Sequence, residues 1–219
     1  MKKYKNLLIW IGVVIFYFFF VQMLIPAIIY ALNIDHNLTI SILLLLTDFT
    51  AMALLVWLYI KEFKEASDDF NKSFKERMIS TVRVWLFGLV LMIIFNSIIG
   101  SLTGDIASNE SANRVILDKY TVYALPAMII FCPICEEIIF RLSLKRIFKN
   151  SALFIIISGL LFGFAHVIGT SGYELLYFIP YGILGSCFAY MYVKNKNILC
   201  SISAHVLHNL ICILIILFL

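Results

Sequence analysis

The segment CPICEEIIFR, residues 132–141, places two adjacent carboxylates and an arginine inside a long apolar stretch. Hydrophobic residues make up 63% of the 219 positions and charged residues only 14%, whereas soluble domains are about 45–50% apolar and about 25% charged. This composition predicts an integral membrane protein, and the chain length allows a single membrane domain over residues 1–219. Because charges at membrane depth are costly, those of the quoted segment indicate a functional site.

The apolar stretches predict an all-α, polytopic helical bundle of about seven transmembrane helices, within a range of six to eight. A helix needs roughly 20 apolar residues to cross a bilayer, because each residue adds about 1.5 Å. Such stretches lie at about 7–32, 39–60, 82–101, 122–148, 152–168, 174–193 and 197–219. Residues 1–101 therefore contain three membrane helices with a polar cytoplasmic segment at 61–80, and the quoted segment lies in the fourth helix.

The positive charges predict a cytoplasmic N-terminus. All but two of the 17 Lys and Arg residues fall in segments that seven helices place on one side, the exceptions being Arg114 and Lys119, and short cytoplasmic loops carry the excess of Lys and Arg. The net charge of +4 is small, so a nucleic-acid partner is not expected. The lipid bilayer is the expected surrounding, and the sequence predicts no oligomeric state.

The five cysteines are predicted to be packing residues. They are Cys132, Cys135, Cys187, Cys200 and Cys212, and all fall within predicted membrane helices. An odd number inside apolar helices argues against a disulfide framework. The first two have the spacing of a redox motif, but that chemistry requires an exposed thiolate at a helix N-terminus, and here the pair lies in mid-helix.

On the fourth helix, Glu137 and Arg141 are four residues apart and share one face, so they are expected to form an ion pair. Glu136 is rotated by about 100° from Glu137. It is therefore left with no partner nearby in the sequence.

The fifth helix carries His166, which, taken alone, is more typical of a structural residue than of a catalyst. Gly159 and Gly163 precede it at a spacing that lets membrane helices approach closely. The seventh helix carries His205 and Asn209 on one face. It also carries His208, for which we favour a structural role over that of a proton carrier.

Together these polar groups suit the hydrolysis of an amide bond. Glu136 and His166 can share a water molecule and take its proton, while His205 and Asn209 can donate hydrogen bonds to the oxyanion that forms. The sequence contains neither a His-Glu-x-x-His zinc helix nor a Gly-x-Ser-x-Gly elbow. A zinc ion held by Glu136, His166 and His205 stays open, since three protein ligands suffice for a catalytic site.

Three motifs in this order resemble the type II CAAX prenyl endopeptidase family, also called CPBP intramembrane proteases, or bacteriocin-processing and abortive-infection-like proteins. The motifs are Glu136-Glu137-x-x-x-Arg141, Phe162-x-x-x-His166 and His205-x-x-x-Asn209. The resemblance covers about residues 120–212, which would form the catalytic core. One departure is Leu142, which stands where the family often has glycine.

The resemblance implies an intramembrane protease that needs no cofactor, with zinc as the alternative. Glu136 would be the general base acting with His166 on a water, His205 and Asn209 would form the oxyanion site, and the remaining motif residues, Glu137 and Arg141, would support the helix. The expected substrate is a small peptide or a membrane-associated protein. The expected setting is a bacterial cell membrane, with a role in bacteriocin immunity or peptide processing.

Two rival functions remain open at this point. Buried Glu, His and Arg side chains also build proton relays in carriers, although the chain shows no repeated halves of the kind found in many transporters. A non-catalytic immunity or scaffold membrane protein would use the same fold to bind a partner. The presence of every motif residue favours the enzyme.

Overall fold

The structure is a computed structural model and describes residues 2–34, 36–104 and 106–218. Most of these residues are helical, and none of them lies in a strand. Eleven α-helices follow in chain order: α1 Lys2–Val14, α2 Ile25–Ala31, α3 Asn37–Leu58, α4 Ile60–Lys72, α5 Phe74–Thr103, α6 Ser108–Lys119, α7 Thr121–Pro126, α8 Cys132–Glu137, α9 Ser151–Val167, α10 Phe178–Asn195 and α11 Ile198–Phe218. Wider π-helical turns occupy Ile15–Leu24, Ala127–Phe131 and Ile138–Ser143, and a 3₁₀-helix occupies Gly172–Tyr177.

The predicted polytopic helical membrane fold is confirmed. Within the described ranges, six helices are long and apolar enough to cross a bilayer: Lys3–Ala31, Asn37–Leu58, Phe74–Thr103, Thr121–Ser143, Gly172–Asn195 and Ile198–Phe218. The fifth predicted span, 152–168, corresponds to Ser151–Val167, an apolar helix of 17 residues, near the lower limit of roughly 17–25 residues for a spanning helix. The protein is thus a multi-pass membrane protein.

The chain folds as two compact units. The first unit comprises Met1–Lys64, Arg114–Ile147 and His205–Leu219, and the second comprises Glu65–Asn113 and Phe148–Ala204. Each unit is therefore built from segments that are distant in sequence.

In the first unit, the helix that carries the two glutamates is not a regular α-helix. This motif helix, Thr121–Ser143, contains the two π-helical turns Ala127–Phe131 and Ile138–Ser143 on either side of α8. In the first turn, the backbone N–H of Cys132 donates to the carbonyl of Ala127, five residues earlier. Proline has no N–H, and its ring clashes with the carbonyl four residues back in a regular helix. The wide turn thus accommodates Pro133.

The N-terminal helices of the first unit hold the other end of the motif helix. The indole Nε1 of Trp10 donates to the carbonyl of Ile139 at 3.1 Å, and the hydroxyl of Tyr59 donates to Ser143 Oγ at 2.8 Å. Ile139 is fully buried. Residues for which the sequence predicted only membrane spans therefore contact the helix of the site directly.

In the second unit, α9 packs against α10 without space for side chains between their backbones. A Cβ at Gly163 would lie 2.7 Å from the Phe178 carbonyl, and one at Gly159 would lie 2.7 Å from the Gly182 carbonyl. Atoms cannot approach that closely, so both positions require glycine. The close helix packing expected from their spacing is present, and the helix approached is α10.

The start of α11 is also held within the second unit. Asn197 Oδ1 accepts a hydrogen bond from the backbone N–H of Leu199 at 2.9 Å, and its Nδ2 donates to the carbonyl of Ala66 at 2.8 Å. Such side-chain acceptors satisfy the unpaired N–H groups of a first helical turn. This cap defines where the helix that carries His205 begins.

Candidate active site

Glu137 and Arg141 form a fully buried ion pair in the motif helix. Arg141 Nη1 lies 3.2 Å from Glu137 Oε1, and both side chains are 0% exposed. A buried pair of this kind is maintained because either charge alone would be strongly destabilising. The pair expected from the four-residue spacing is therefore present.

Glu137 has a second partner that the sequence did not indicate. His205 Nδ1 lies 2.9 Å from Glu137 Oε1. A carboxylate that pairs with an arginine only accepts hydrogen bonds, so the imidazole must carry its proton on Nδ1 and donate it. This bond sets the orientation of the His205 ring and leaves Nε2 on the opposite side.

Glu136 lies on that opposite side. Its Oε2 is 3.8 Å from His205 Nε2, too far for a direct hydrogen bond. The two groups form an ion pair only when the ring is protonated on both nitrogens. The side chain of Glu136 is 17% exposed, whereas that of Glu137 is fully buried. The imidazole of His205 thus lies between two carboxylates with different surroundings, one enclosed and one accessible.

Asn209 lies one turn beyond His205 in α11. Its Nδ2 donates to the backbone carbonyl of Met128 in the motif helix, at 2.8 Å. Neighbouring His208 is 6% exposed and lies with its Nε2 at 3.6 Å from Cys212 Sγ. The α11 face that the sequence identified therefore contacts the motif helix at two levels, through His205 and through Asn209.

His166 belongs to the second unit, where aromatic rings hold its imidazole. The ring centroid of Phe162 lies 4.4 Å away and that of Tyr181 lies 4.5 Å away, the latter at an interplanar angle of 23°. Nδ1 lies 2.8 Å from the Phe162 carbonyl. Because a carbonyl only accepts, Nδ1 carries the proton and Nε2 is the basic nitrogen of the neutral ring.

Tyr181 was missed by sequence reasoning, because stacking across two helices leaves no local pattern. Asp48 was also missed, although an acid inside the apolar helix α3 was an available signal. Asp48 is 4% exposed in the first unit and accepts hydrogen bonds from the Tyr123 hydroxyl at 2.9 Å and from Gln22 Nε2 at 3.2 Å. These three residues link the N-terminal helices to the start of the motif helix.

The side chains do not assemble a metal-ligand set in the part of the chain that the structure describes. No group of three or more His, Cys, Asp or Glu residues there lies close enough to hold an ion. Glu136 and His205 supply two donors in the first unit, whereas a catalytic zinc requires three from the protein. The five cysteines form no disulfide.

Comparisons with known proteins agree with the motifs. Residues 118–211 match the sequence model of the family described as "Type II CAAX prenyl endopeptidase Rce1-like". The chain is 34% identical over 108 residues to "Putative membrane peptidase YdiL" of Bacillus subtilis, a match that covers 46% of this chain and 41% of that protein. It is 26% identical over 200 residues to an uncharacterized protein of Mycoplasma capricolum subsp. capricolum, covering 84% of this chain and 58% of that protein.

The chain thus spans about half the length of the curated relatives it matches. No solved structure matches it significantly. The matched region begins just before the motif helix and ends within α11, so it contains every motif residue on which the resemblance was based. The similarity to the type II CAAX prenyl endopeptidase Rce1-like family therefore lies in residues 118–211, the part of the chain that carries the motifs.

Proposed function

We propose that the protein is an intramembrane endopeptidase that hydrolyses a peptide bond in a small peptide or a membrane-associated protein. The observation that best supports this is the position of His205, hydrogen-bonded to the buried Glu137 on one side and facing the accessible Glu136 on the other. Paired acid and imidazole groups of this kind are typical of general acid–base catalysis.

In the proposed reaction, Glu136 acts with His166 on one water molecule. Glu136 takes a proton from the water while the water oxygen attacks the peptide carbonyl, which forms a tetrahedral oxyanion. The same proton then passes from Glu136 to the peptide nitrogen as the C–N bond breaks, releasing an amine and a carboxylic acid. The Nδ1–H bond of His166 to Phe162 supports this role, because with the proton on Nδ1 the Nε2 atom of a neutral ring is a hydrogen-bond acceptor.

His205 and Asn209 would stabilise the oxyanion in this reaction. Since the Nδ1–H of His205 is donated to Glu137, a donor toward the oxyanion must come from Nε2. The proposal therefore needs a ring protonated on both nitrogens. The negative charges of Glu136 and Glu137 would then balance the positive charges of this ring and of Arg141. Glu137, with Arg141, holds this ring in place and does not contact the substrate.

The proposed setting is a bacterial cell membrane, in bacteriocin immunity or peptide processing. The chain is similar to a Bacillus subtilis protein that is named as a membrane peptidase. This similarity supports peptide substrates and a bacterial setting. Cleavage at membrane depth suits substrates that are short or already embedded in the bilayer.

The test compares purified wild-type protein, Glu136→Gln and His166→Ala on a peptide library, each with and without a strong chelator. We expect cleavage by the wild type alone, at the same rate with chelator. Full cleavage by Glu136→Gln would disprove the glutamate as base, and chelator-sensitive cleavage restored by zinc would favour the metal alternative. If Glu136→Gln still protects cells against a bacteriocin while no variant cleaves, the protein acts as a non-catalytic immunity protein.

A further inference from the structure

We propose that Asn209 is a positioning residue whose side-chain amide replaces the backbone N–H that Pro133 lacks. In this role it holds the π-helical turn that orients Glu136. The inference concerns the site described under the proposed function, but its primary test measures folding and needs no substrate.

The first step concerns the carbonyl of Met128 and the two backbone groups that would ordinarily donate to it. In an α-helical turn its donor would be the N–H of Cys132, but that group bonds to Ala127. In a π-helical turn its donor would come from position 133, five residues on, where proline has no N–H. The α-type donor and the π-type donor of this carbonyl are therefore both excluded.

The second step concerns the group that donates a hydrogen bond to this carbonyl instead. Asn209 Nδ2 donates to it at 2.8 Å, from helix α11. An unsatisfied backbone carbonyl is costly in a membrane, because no bulk water replaces the missing donor. The hydrogen bond from Asn209 therefore stabilises the wide turn against rearrangement to a regular one.

The third step links this turn to the catalytic carboxylate. A π-helical turn contains one more residue than an α-helical turn, so its loss would rotate the following residues by about 100° relative to those before it. Glu136 comes five residues after Phe131, where the turn ends. Asn209 also lies on the same face of α11 as His205. Helix α11 therefore holds the turn through Asn209 and faces the carboxylate of Glu136 through His205.

One N–H of the Asn209 amide is used by this bond, and the second N–H is compatible with the oxyanion role. A role of Asn209 in holding the turn and a role at the oxyanion predict different outcomes when Pro133 is replaced. A variant with alanine there regains a backbone N–H that can bond to Met128 directly. Removal of Asn209 should then be harmless to the turn, although it would still remove an oxyanion donor.

The experiment is a double-mutant cycle on the full chain in detergent, with Asn209→Ala, Pro133→Ala and the double variant. We expect Asn209→Ala alone to lower the thermal midpoint by about 2–4 °C, the shift typical of losing one buried hydrogen bond. In the Pro133→Ala background we expect the same substitution to lower it by less than about 1 °C. Equal losses in both backgrounds would overturn the proposal.

Pro26 provides a matched control. It lies in α2, directly after the π-helical turn Ile15–Leu24. Pro26→Ala should not reduce the effect of Asn209→Ala. If it reduces that effect as much as Pro133→Ala does, the rescue is a general result of proline removal and the proposal fails.

Hydrogen exchange gives a second test if Pro133→Ala does not fold. Asn209→Ala should increase amide exchange over residues 127–135 by about tenfold, while α3 changes little. Unchanged exchange over 127–135 would overturn the inference. Where cleavage is measurable, the double variant should be about tenfold more active than Asn209→Ala, because the turn is restored, and no gain would count against the link from the turn to Glu136.

Discussion

His205 Nδ1 donates to Glu137 Oε1 at 2.9 Å, and this bond gives the histidine its orientation. Glu137 also contacts Arg141, so one buried carboxylate connects a cation of its own helix to an imidazole of α11. Glu137 is therefore the residue that joins the first and third motifs in space. Glu136, which is accessible, lies next to the contacts of Glu137 with Arg141 and His205 but forms neither of them.

Glu137→Gln should reduce both stability and activity. The substitution removes the negative charge from a buried arginine, and breaking such a pair costs about 3–5 kcal/mol. Chemical unfolding in detergent measures the loss. The double variant Glu137→Gln/Arg141→Met should recover much of the stability but none of the activity, since His205 is still without its carboxylate. Recovery of both would show that Glu137 serves only as a counter-ion.

His205→Asn should separate folding from catalysis. The asparagine amide can take the place of the Nδ1–H group toward Glu137, but it has nothing at the position of Nε2. We expect a thermal midpoint within about 2 °C of the wild type and a fall in kcat of about 100-fold or more, as for the loss of an oxyanion donor. His205→Ala should lose both properties. Retained activity in His205→Asn would remove Nε2 from the mechanism.

Tyr181→Leu should lower activity by about 2–10-fold, because stacking of aromatic rings contributes about 0.5–1.5 kcal/mol. The substitution removes the aromatic ring that stacks on His166, with 4.5 Å between the two ring centroids. Tyr181→Phe keeps that ring and removes the hydroxyl, which accepts a long hydrogen bond of 3.4 Å from Asn109, so it serves as the control. Equal losses of activity in Tyr181→Phe and Tyr181→Leu would mean that the hydroxyl, and not the ring stacking, supports activity.

Trp10→Phe should destabilise the first unit by about 1–2 kcal/mol, because the Ile139 carbonyl loses its donor in a buried π-helical turn. The matched control is Trp57→Phe in α3, whose side chain is 69% exposed and makes no such bond. The change should be measured as the unfolding midpoint in detergent. Equal effects of the two substitutions would mean that the indole of Trp10 contributes only apolar surface.

Much of the membrane fold could be predicted from composition, because the length of an apolar helix must match the thickness of the bilayer. Ser151–Val167 shows the limit of this criterion, since its 17 residues are barely enough to cross a bilayer. The irregular turns of the motif helix were not predicted. Pro133 indicates that a regular helix is disfavoured there, but it does not indicate which carbonyl is left without a donor or what satisfies it.

What the sequence by itself determined was the class of protein, the motif residues and the ion pair of Glu137 with Arg141. Residues on one helix have relative positions set by a fixed rotation and rise, so spacing alone is sufficient. Only the tertiary structure decided that Glu137 also binds His205, that Asn209 reaches the carbonyl of Met128 and that Trp10 reaches that of Ile139. Those contacts depend on how far each helix is rotated and shifted against its neighbours, which side-chain packing along their whole length determines.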